Sequence, residues 1–575
     1  MERLYNNITL PDAWPPRMEE TTLDKPLPVP YLEKKPEYID ISVGRQLFVD
    51  DFLIADTDLK REYGQPETCG QPVLYPETEL ELNDGYCTCA CPFNGGVFFD
   101  QKDRKYKMWY HAGWFDGSAY AESRDGVRWQ RIPREGRGQG RPAAEWIPAP
   151  GAGPDADAGQ APEGSLRPGP DTDRILDRIP GYMRDGDMVW LDEQAENPEE
   201  RYRMLVFYRC FDKDYRYYHQ KPRHAHDDPT TVAPREVAVF YRSGDGIHWE
   251  QMGEIPAMGD NTTFFYNPFR KKWVFSLRTF SKLDSRVRVR GYCEREHFFE
   301  EGGWKEEDVR FWARTDIFDK PDPELGYYTQ IYNLDAVAYE SIMLGVYSVF
   351  MGPPNFVCGR TGMPKINDLK LGFSRDGFHF SRGEYGDFLT SSRTPGTWDY
   401  GYLHPAGGIC TVQEDELYFY YSAFSGESPQ FGHHKYSGGG VGLAKLRRDG
   451  FACMYDEGGA GGSLTTEVLA YSGEYFFVNA DCRGGSLRAE LLDEAGEVIP
   501  AYSREKCRAV CQDGTKQQIV WDGAPVLKDI PGKIRVRFLL NHARLYAFWI
   551  TDDAGGRSHG YLGAGSPVAG EDGRG

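Results

Sequence analysis

The sequence predicts an all-β protein, a five-bladed β-propeller followed by a C-terminal β-sandwich. A short turn motif recurs as SRDGVRW from Ser123, SGDGIHW from Ser243 and SRDGFHF from Ser374, with a degenerate copy, RRDGFACM, from Arg447. Each copy of the motif is preceded by short segments rich in aromatic and β-branched residues. These segments are separated by polar turns and show no helical pattern. Small antiparallel sheets repeated at a period of about 50 to 75 residues are typical of a propeller.

Five such units can be counted along the chain. They contain, in order, GGVFFDQKDRKYKMWYHAGW, DMVWLDEQAENPEERYRMLVFYR, GDNTTFFYNPFRKKWVFSLRTF, NLDAVAYESIMLGVYSVF and YLHPAGGICTVQEDELYFYYSAFSG. The recurring motif suits a turn, because Asp bonds to its own backbone and Gly accepts positive φ, while the aromatic residue that follows packs between sheets. We therefore interpret the motif as part of the blade architecture and not as catalytic.

The units divide the chain into three parts. We expect residues 1–69 to form an extension that packs on or closes the propeller, 70–460 to form the propeller, and 461–575 to form the sandwich and a tail. The segment from about 133 to 178 is rich in Pro, Gly and Ala and is predicted to be a flexible insertion. The sandwich has alternating strands and hairpin turns, with its acids in turns, so we expect no catalytic residue there.

Charge and hydropathy exclude several classes of protein. The 575 residues carry 67 Lys and Arg against 88 Asp and Glu, a net charge of −21, which argues against nucleic acid or an anionic membrane as partner. No run approaches the eighteen apolar residues of a membrane span, and the first residues lack the pattern of a secretory signal. We therefore expect a cytoplasmic protein whose twelve cysteines are reduced. Its oligomeric state is left open.

Three cysteines alternate in the segment YCTCACPF. On a strand, Cys87, Cys89 and Cys91 would face one side. One interpretation is a soft-metal site, and the other is a set of small core residues. The second is favoured, because CxxC pairs and His partners at short spacing are absent. No cofactor is expected to be required.

Each unit carries acidic residues at the start of its first strand. In a propeller these strands line the central axis, so the acids should converge on one mouth, where they shift one another's pKa. Glycosidic bond cleavage needs one protonated and one ionised carboxyl group. Structural caps or a divalent cation site, such as calcium, are the other interpretations. The residues are Asp84, Asp185, Asp187, Asp260, Asp335, Glu340, Asp399 and, in the fifth unit, also His404.

Over residues 40–455 the chain resembles the five-bladed β-propeller glycoside hydrolases, which include the invertase-like (family 32) and arabinanase/xylosidase-like (family 43) enzymes. The segments LFVDDFLIA, GGVFFDQKDRKYKMWYHAGW and SRDGVRW carry the resemblance. RDGDMVW also resembles the Arg-Asp-Pro segment of invertase-like enzymes, which favours Asp185 over Asp187. The invertase Asn-Asp-Pro-Asn-Gly segment is absent, and Asn83, Asp84 and Gly85 are a partial echo of it.

That resemblance implies an Asp, an Asp and a Glu on three successive inner strands, as base or nucleophile, transition-state stabiliser and general acid. On this chain the set is Asp187, Asp260 and Glu340, with Glu340 as the general acid. We expect the three to share one pocket, within roughly 5 to 10 Å of one another. Asp84, Asp399 and His404 are expected around its rim.

Aromatic and basic residues near these strands suit a sugar pocket. Trp114 and His111 are predicted to stack on a sugar face, the alternative for Trp114 being inter-blade core. Arg184 and Arg278 are predicted to bind hydroxyl groups or a carboxylate. Asp185 and Asp335 complete the predicted substrate-binding set.

The predicted function is an exo-acting glycoside hydrolase that removes a terminal furanoside or similar sugar from an oligosaccharide or glycoside. One alternative is a glycoside phosphorylase on the same scaffold, which needs basic residues at the mouth; Arg184, Arg278, Arg360 and His404 leave this open. The other is a non-catalytic carbohydrate-binding propeller.

Overall fold

The structure, a computed structural model, is nearly all β, as predicted. It describes residues 1–20, 24–85, 87–134, 141–142, 174–211, 235–257, 259–383, 385–430 and 432–568. Most of the predicted flexible insertion, 133 to 178, lies outside these residues. The helices within them are short: Pro30–Glu33, Glu79–Leu82 and Asn355–Thr361, with 3-10 turns at Asn83–Gly85, Pro198–Glu200, Glu306–Asp308, Pro500–Tyr502 and Leu527–Asp529.

Five antiparallel sheets follow one another along the chain, and we number them first to fifth. The first contains Ala90–Cys91, Val97–Asp100, Lys105–Ala112, Gly117–Ser123, Trp129–Arg131 and Arg141–Pro142. The second contains Tyr182–Leu191, Tyr202–Cys210, Arg235–Ser243 and Glu250–Pro256, and the third Thr263–Asn267, Lys272–Phe280, Arg288–Arg295 and Arg310–Ala313. The fourth contains Gln330–Glu340, Ile342–Gly352, Ile366–Ser374 and Tyr561–Leu562, and the fifth Gly401–Gln413, Glu416–Phe424, Gly439–Arg447 and Glu67–Thr68. A separate short hairpin pairs Glu427–Ser428 with Gly432–His433.

The leading strands of these sheets contact one another in a closed cycle. Tyr182–Leu191 lies against the first and third sheets, and Gln330–Glu340 lies between Thr263–Asn267 and Gly401–Gln413. Gly401–Gln413 in turn contacts Val97–Asp100, which returns to the first sheet. Aromatic and aliphatic side chains from all five sheets fill the space between them. The residues at one end of these leading strands therefore share one surface around a common axis.

The recurring motif forms the same turn in three sheets. At Ser123 and Asp125, the Ser hydroxyl accepts from Gly126 N at 2.9 Å, and Asp Oδ1 accepts from the next two backbone amides at 2.9 and 2.8 Å. The copies at Ser243 and Ser374 repeat these bonds within 0.1 Å. The Gly has φ between +73° and +82° in all three, which disfavours residues with a Cβ. The prediction that the motif is a structural turn is thus confirmed by its hydrogen bonds.

Two further sheets enclose a second core. One contains Gln46–Leu47, Lys60–Tyr63, Ala452–Tyr455, Tyr475–Asp481, Asp513–Ile519 and Arg544–Thr551, and the other Ile54–Thr57, Gly462–Thr466, Ser486–Leu492 and Arg535–Asn541. Ile39–Asp40 and Leu469–Ala470 form a short parallel pair beside them. Phe48, Phe476, Phe538 and Phe548 stack near the centre of this core. Residues from both ends of the chain build it together.

Strand pairing crosses the predicted domain boundaries at 69 and 461. Glu67–Thr68 is the outer strand of the fifth sheet, and Tyr561–Leu562 pairs with the leading strand of the fourth. The backbone from 563 to 565 then bonds to Ala338, Cys410 and Phe99, one residue from each of three sheets. We call residues 561–566 the closing segment, because it ties the fourth, fifth and first sheets together at one end of the axis.

No helix in the described ranges is long and apolar enough to span a membrane. All twelve cysteines are free thiols. Cys89 and Cys91 are fully buried with their sulfurs 3.4 Å apart, while Cys87 lies 3.4 Å from His434. Among the described residues no group of three or more His, Cys, Asp or Glu side chains is placed to hold a metal ion. The structure therefore places these cysteines in the core of the first sheet, without a metal-binding arrangement.

Candidate active site

Two carboxylates from neighbouring sheets meet on one arginine. Asp185, in the leading strand of the second sheet, lies 2.6 Å from Arg209 Nη2, and Asp260, just before the third sheet, lies 3.0 Å from the same nitrogen. Their nearest oxygens are therefore less than about 6 Å apart, the sum of the two contacts. Arg278 Nε holds the second oxygen of Asp260 at 2.9 Å. We call Asp185 and Asp260 the acid pair.

A β-bulge presents Asp185 to this pair. Arg184 is opposite Tyr208 and Asp187 is opposite Val206, so two residues of the second sheet's leading strand face one residue of its neighbour. Gly186, inside the bulge, has φ +135°, which a residue with a Cβ rarely adopts. The bulge turns Asp185 towards Arg209 and leaves Asp187 beside Arg184 on the other side of the strand.

The surroundings move the pKa values of the two acids apart. Burial raises the pKa of Asp185 to about 6, and the nearby Asp260 adds to this while Arg209 opposes it. Burial also acts to raise the pKa of Asp260, but Arg278, Arg209 and more distant cations outweigh it and lower the pKa to about 2. Near pH 6 one member of the acid pair therefore carries a proton for part of the time while the other stays ionised.

Tyrosines and cations form the wall facing the acid pair. Lys365, almost fully buried, donates to the phenol oxygen of Tyr332 at 2.7 Å and to that of Tyr402 at 3.3 Å. Its ammonium also lies 5.3 Å from the ring centre of Tyr436. Arg288 lies over the Tyr332 ring at 5.6 Å. The positive charges of Lys365 and Arg288 both act on Asp260 and lower its pKa.

Asparagines from three sheets are hydrogen-bonded to one another beside Tyr332. Asn94 donates to Asn261 Oδ1 at 2.5 Å, and Asn333 donates to Asn94 Oδ1 at 3.5 Å. Asn261 in turn donates to the Tyr332 carbonyl at 2.9 Å. All three are at least nine-tenths buried. The site therefore has a solid polar floor.

Asp187 belongs to a neighbouring buried cluster. Its carboxylate accepts from Ser118 and lies 3.2 Å from both His111 Nε2 and Arg184 Nη1. Burial acts to raise the pKa of Asp187, but Arg184 and His111 hold it well below its usual range. Burial lowers the pKa of His111, as does the adjacent Arg184, so the imidazole is neutral at pH 7. Asp187 is thus an ionised carboxylate in contact with Ser118, His111 and Arg184.

Trp114, His111 and His404, which the sequence places at a sugar face or rim, lie within aromatic packing. Trp114 is 4% exposed, and its ring is stacked 4.9 Å from Tyr436. His404 is fully buried and stacked 3.9 Å from Phe93, and burial lowers its pKa to about 3. This placement agrees with the alternative given for Trp114, a core residue.

Glu340 does not lie with the acid pair, contrary to the expectation of one shared pocket. It is the last residue of the 11-residue strand Gln330–Glu340, whereas Tyr332, near the other end, contacts the floor. At about 3.3 Å per residue, some 25 Å of strand separates Glu340 from Tyr332. The expected separation of at most 10 Å is therefore not found. Counting residues between repeats could not show at which end of the strand Glu340 would lie.

Glu340 instead lies where the fourth sheet contacts residues of the second core. Its carboxylate accepts from Ser558 Oγ at 2.6 Å and from Arg448 at 3.1 Å, and it lies 3.5 Å from Arg45 Nε. Asp449 holds Arg45 from the other side at 2.8 Å. All four charged side chains are at most 3% exposed.

The remaining predicted residues are dispersed. Asp335 is buried in the middle of its strand, and burial raises its pKa to about 8. Asp84 is an exposed residue with φ +51° in the turn before the first sheet. Asp399 lies on the loop before the fifth sheet, where its charge acts on Tyr421, and no contact within the described part of the chain joins it to the acid pair. Arg278 lies at the acid pair, held by Asp260, whereas Arg184 lies in the neighbouring cluster, held by Asp187.

Several residues of the site were missed by the sequence analysis: Arg209, Arg288, Lys365, Tyr332, Tyr402 and Tyr436. Arg209 lies at the far end of the strand that pairs with Asp185, and Tyr332 opens a strand whose acids drew attention first. The alternation of Arg209 with buried Tyr208 and Cys210 was the signal available. Lys365 precedes its strand and carries no repeat signal.

No protein-family model and no curated protein sequence matches the chain. Solved structures similar to it include a thermostable family-43 glycoside hydrolase, with 9% identity, 64% of this chain and 94% of that chain covered, and a TM-score of 0.37. Another comes from work on the GH130 family of mannoside phosphorylases and its glycoside hydrolases that target beta-1,2 mannosidic linkages in Candida mannan. It is 13% identical, with 67% of this chain and 94% of that chain covered and a TM-score of 0.35. An N-acetylgalactosamine deacetylase from F. plautii has 12% identity, 71% and 96% coverage and a TM-score of 0.35.

These neighbours include glycoside hydrolases of the type that the sequence resembles. With identities of at most 13% and TM-scores below 0.5, no residue role is carried over from them.

Proposed function

We propose that the protein is a carbohydrate-active enzyme, a glycoside hydrolase built on a five-bladed β-propeller with an appended β-sandwich. The closed cycle of leading strands supports five blades around one axis. The two sheets enclosing the second core support the sandwich. The acid pair lies at one mouth of the axis.

The observation that carries the proposal is the split in pKa between two carboxyl groups held on one arginine. Asp185, with a pKa of about 6, is the general acid, and Asp260, with a pKa of about 2, is its ionised partner. Such a pair, less than about 6 Å apart, is what a glycosidase uses to cleave an acetal. Asp185, and not Glu340, is therefore the proposed general acid.

The reaction follows from these protonation states. Asp185 donates its proton to the glycosidic oxygen, the bond from that oxygen to the anomeric carbon breaks, and the electron pair leaves with the departing alcohol. Asp260 faces the positively charged, oxocarbenium-like transition state and stabilises it. Water adds to the anomeric carbon, and its proton restores Asp185. Asp187, held by Ser118, His111 and Arg184, positions the bulge that carries Asp185.

The buried floor supports exo-action. Asn94, Asn261 and Asn333 form a buried hydrogen-bonded group beside Tyr332, and we infer that a sugar chain ends against it. A substrate that ends at these residues would place its terminal sugar at the acid pair. A terminal furanoside or similar sugar remains the proposed substrate.

A panel of aryl glycosides, including furanosides, tests the proposal. We expect Asp185→Asn and Asp260→Asn each to lower kcat/KM by about 10²- to 10⁴-fold on the substrate that is turned over. Asp284→Asn is the matched control, because Asp284 pairs with Arg286 at 2.8 Å in the turn between Lys272–Phe280 and Arg288–Arg295 and is solvent-accessible. Full activity in Asp185→Asn would remove the proposed acid. Saturable sugar binding without turnover would favour the carbohydrate-binding alternative.

A further inference from the structure

Positive charge near the acid pair exceeds what the local carboxylates balance. Arg209 and Arg278 are matched by Asp185 and Asp260, and Glu236 also lies 3.9 Å from Arg209 Nε. Three further cations, Arg288, Arg290 and Lys365, have no carboxylate within ion-pair distance among the residues that the structure describes. We call these three the cationic subsite. The whole chain carries a net charge of −21, so this local excess opposes the overall balance.

Lys365 is the most informative member. It is 2% exposed, and the acceptors of its ammonium are the two neutral phenols of Tyr332 and Tyr402. Its charge reaches both members of the acid pair and acts to lower the pKa of each, yet neither lies within ion-pair distance. A buried ammonium without a counter-ion is costly unless an anion approaches it.

The three cations converge on Tyr332. Lys365 donates to its hydroxyl, Arg288 lies over its ring, and Arg290 donates to its carbonyl at 3.3 Å. Arg290 is fully buried, and its other bonds go to Ser276 and to the Asn261 carbonyl, all neutral groups. Burial, with help from Arg278, lowers the pKa of Arg290 to about 9. Arg288 is partly exposed, so it is the member that reaches solvent.

We propose that the cationic subsite binds an oxyanion next to the bond that is cleaved. This inference rests on the proposed function, since it places the anion on the substrate side of the acid pair. Lys365 and Arg288 contact the oxyanion, while Arg290 adds positive potential from behind Tyr332. The ligand is an acidic sugar bearing a carboxylate, sulfate or phosphate ester. Free inorganic phosphate offers the same chemistry and would serve as the attacking group in place of water.

Binding is tested first without turnover, so that the subsite can fail separately from the enzyme. The probes are inorganic phosphate, sulfate and glucuronate, with glucose as the neutral comparison, in isothermal titration calorimetry and thermal shift. We expect saturable anion binding that raises Tm and weakens with ionic strength. In Lys365→Met and in Arg288→Gln the Kd for the anion should rise at least about tenfold, a single charged contact being worth that much.

The matched control is Lys445→Met. Lys445 also lies over a tyrosine, 4.7 Å from the ring centre of Tyr418, but on the strand Gly439–Arg447 of the fifth sheet, with Glu416 3.4 Å away. Its replacement should leave anion binding unchanged. Asp185→Asn should keep anion binding while losing turnover, which separates failure of the subsite from failure of the proposed acid.

Kinetics then distinguish the two sources of the oxyanion. Faster cleavage of neutral aryl glycosides with added phosphate, and a sugar phosphate as product, identifies free phosphate. Preference for aryl uronides or sulfated glycosides over their neutral counterparts, lost in Lys365→Met, identifies a substituent. The proposal is overturned if no anion binds saturably to the wild-type protein. It is equally overturned if Lys365→Met and Arg288→Gln, both folded, bind anions as the wild type does.

Discussion

Replacing Glu340 separates a structural role from the catalytic role that the sequence first predicted. In Glu340→Gln the shape of the side chain is kept, but Arg45 and Arg448, each at most 3% exposed, lose one of their counter-ions. We expect the protein to be less stable and its kcat to stay within about twofold of the wild type, because the residue lies about 25 Å of strand away from the floor of the site.

The size of the effect follows from the contacts. Removing one partner from a buried ion pair costs about 3–5 kcal/mol. The amide oxygen of the replacement still accepts one bond, from Arg45 N or from Ser558, which recovers about 1 kcal/mol. The net loss is then about 2–4 kcal/mol. Because the entropy of unfolding grows with chain length, a protein of 575 residues loses a little under about 1 °C per kcal/mol, so Tm falls by about 2–3 °C.

Thermal unfolding and steady-state kinetics on the same preparation provide the assay. Glu416→Gln is the control, since Glu416 is half exposed, lies 3.4 Å from Lys445 and should change Tm little. The reasoning is refuted if Glu340→Gln keeps the wild-type Tm while kcat drops by about 10²-fold or more, the usual contribution of a general acid.

Three further outcomes are expected. The pKa of Asp185 is raised to about 6 and that of Asp260 is lowered to about 2. We therefore expect kcat/KM to fall above about pH 6, where Asp185 loses its proton, and to stay constant at more acidic pH. The same fall above about pH 6 in Asp185→Asn would contradict this. Deleting residues from 561 onward should lower Tm and expose apolar surface, measured by dye binding. Gly377→Ala should destabilise more than Gly386→Ala in thermal unfolding, because both have positive φ but a Cβ at Gly377 meets Asn267 at 2.3 Å while one at Gly386 meets nothing within 4 Å.

The parts of the fold that could be predicted from the sequence are those determined by residues close together in the chain. The turn at Ser123, Asp125 and Gly126 is specified by residues within four positions, so its recurrence marked three sheets directly. The two-residue strands Glu67–Thr68 and Tyr561–Leu562 are too short to show a period, and their partners lie hundreds of residues away. Their pairing depends on tertiary contacts that no local pattern records.

The same contrast explains the site. Asp185 and Asp260 were among the acids expected to converge because they precede or open leading strands, although the predicted catalytic set contained Asp187 and not Asp185. The structure brings Asp185 and Asp260 together. Asp335 and Glu340 occur on a strand of eleven residues whose ends look alike in sequence. Which end reaches the mouth is decided by the register at Tyr332, and the bulge at Gly186 decides which acid of the second sheet turns inward.

The closing segment also sets an order of events during synthesis. The fifth sheet's last sequential strand ends at Arg447, yet the leading strand of the fourth sheet waits for Tyr561–Leu562, and residues 563–565 bond three sheets that were made long before. More than a hundred further residues must therefore be synthesised after Arg447 before Tyr561–Leu562 can pair with the fourth sheet. Until then the backbone of Tyr339 and Glu340, at the end of Gln330–Glu340, lacks the strand that pairs with it in the folded protein, while the strands of the second core are still being synthesised.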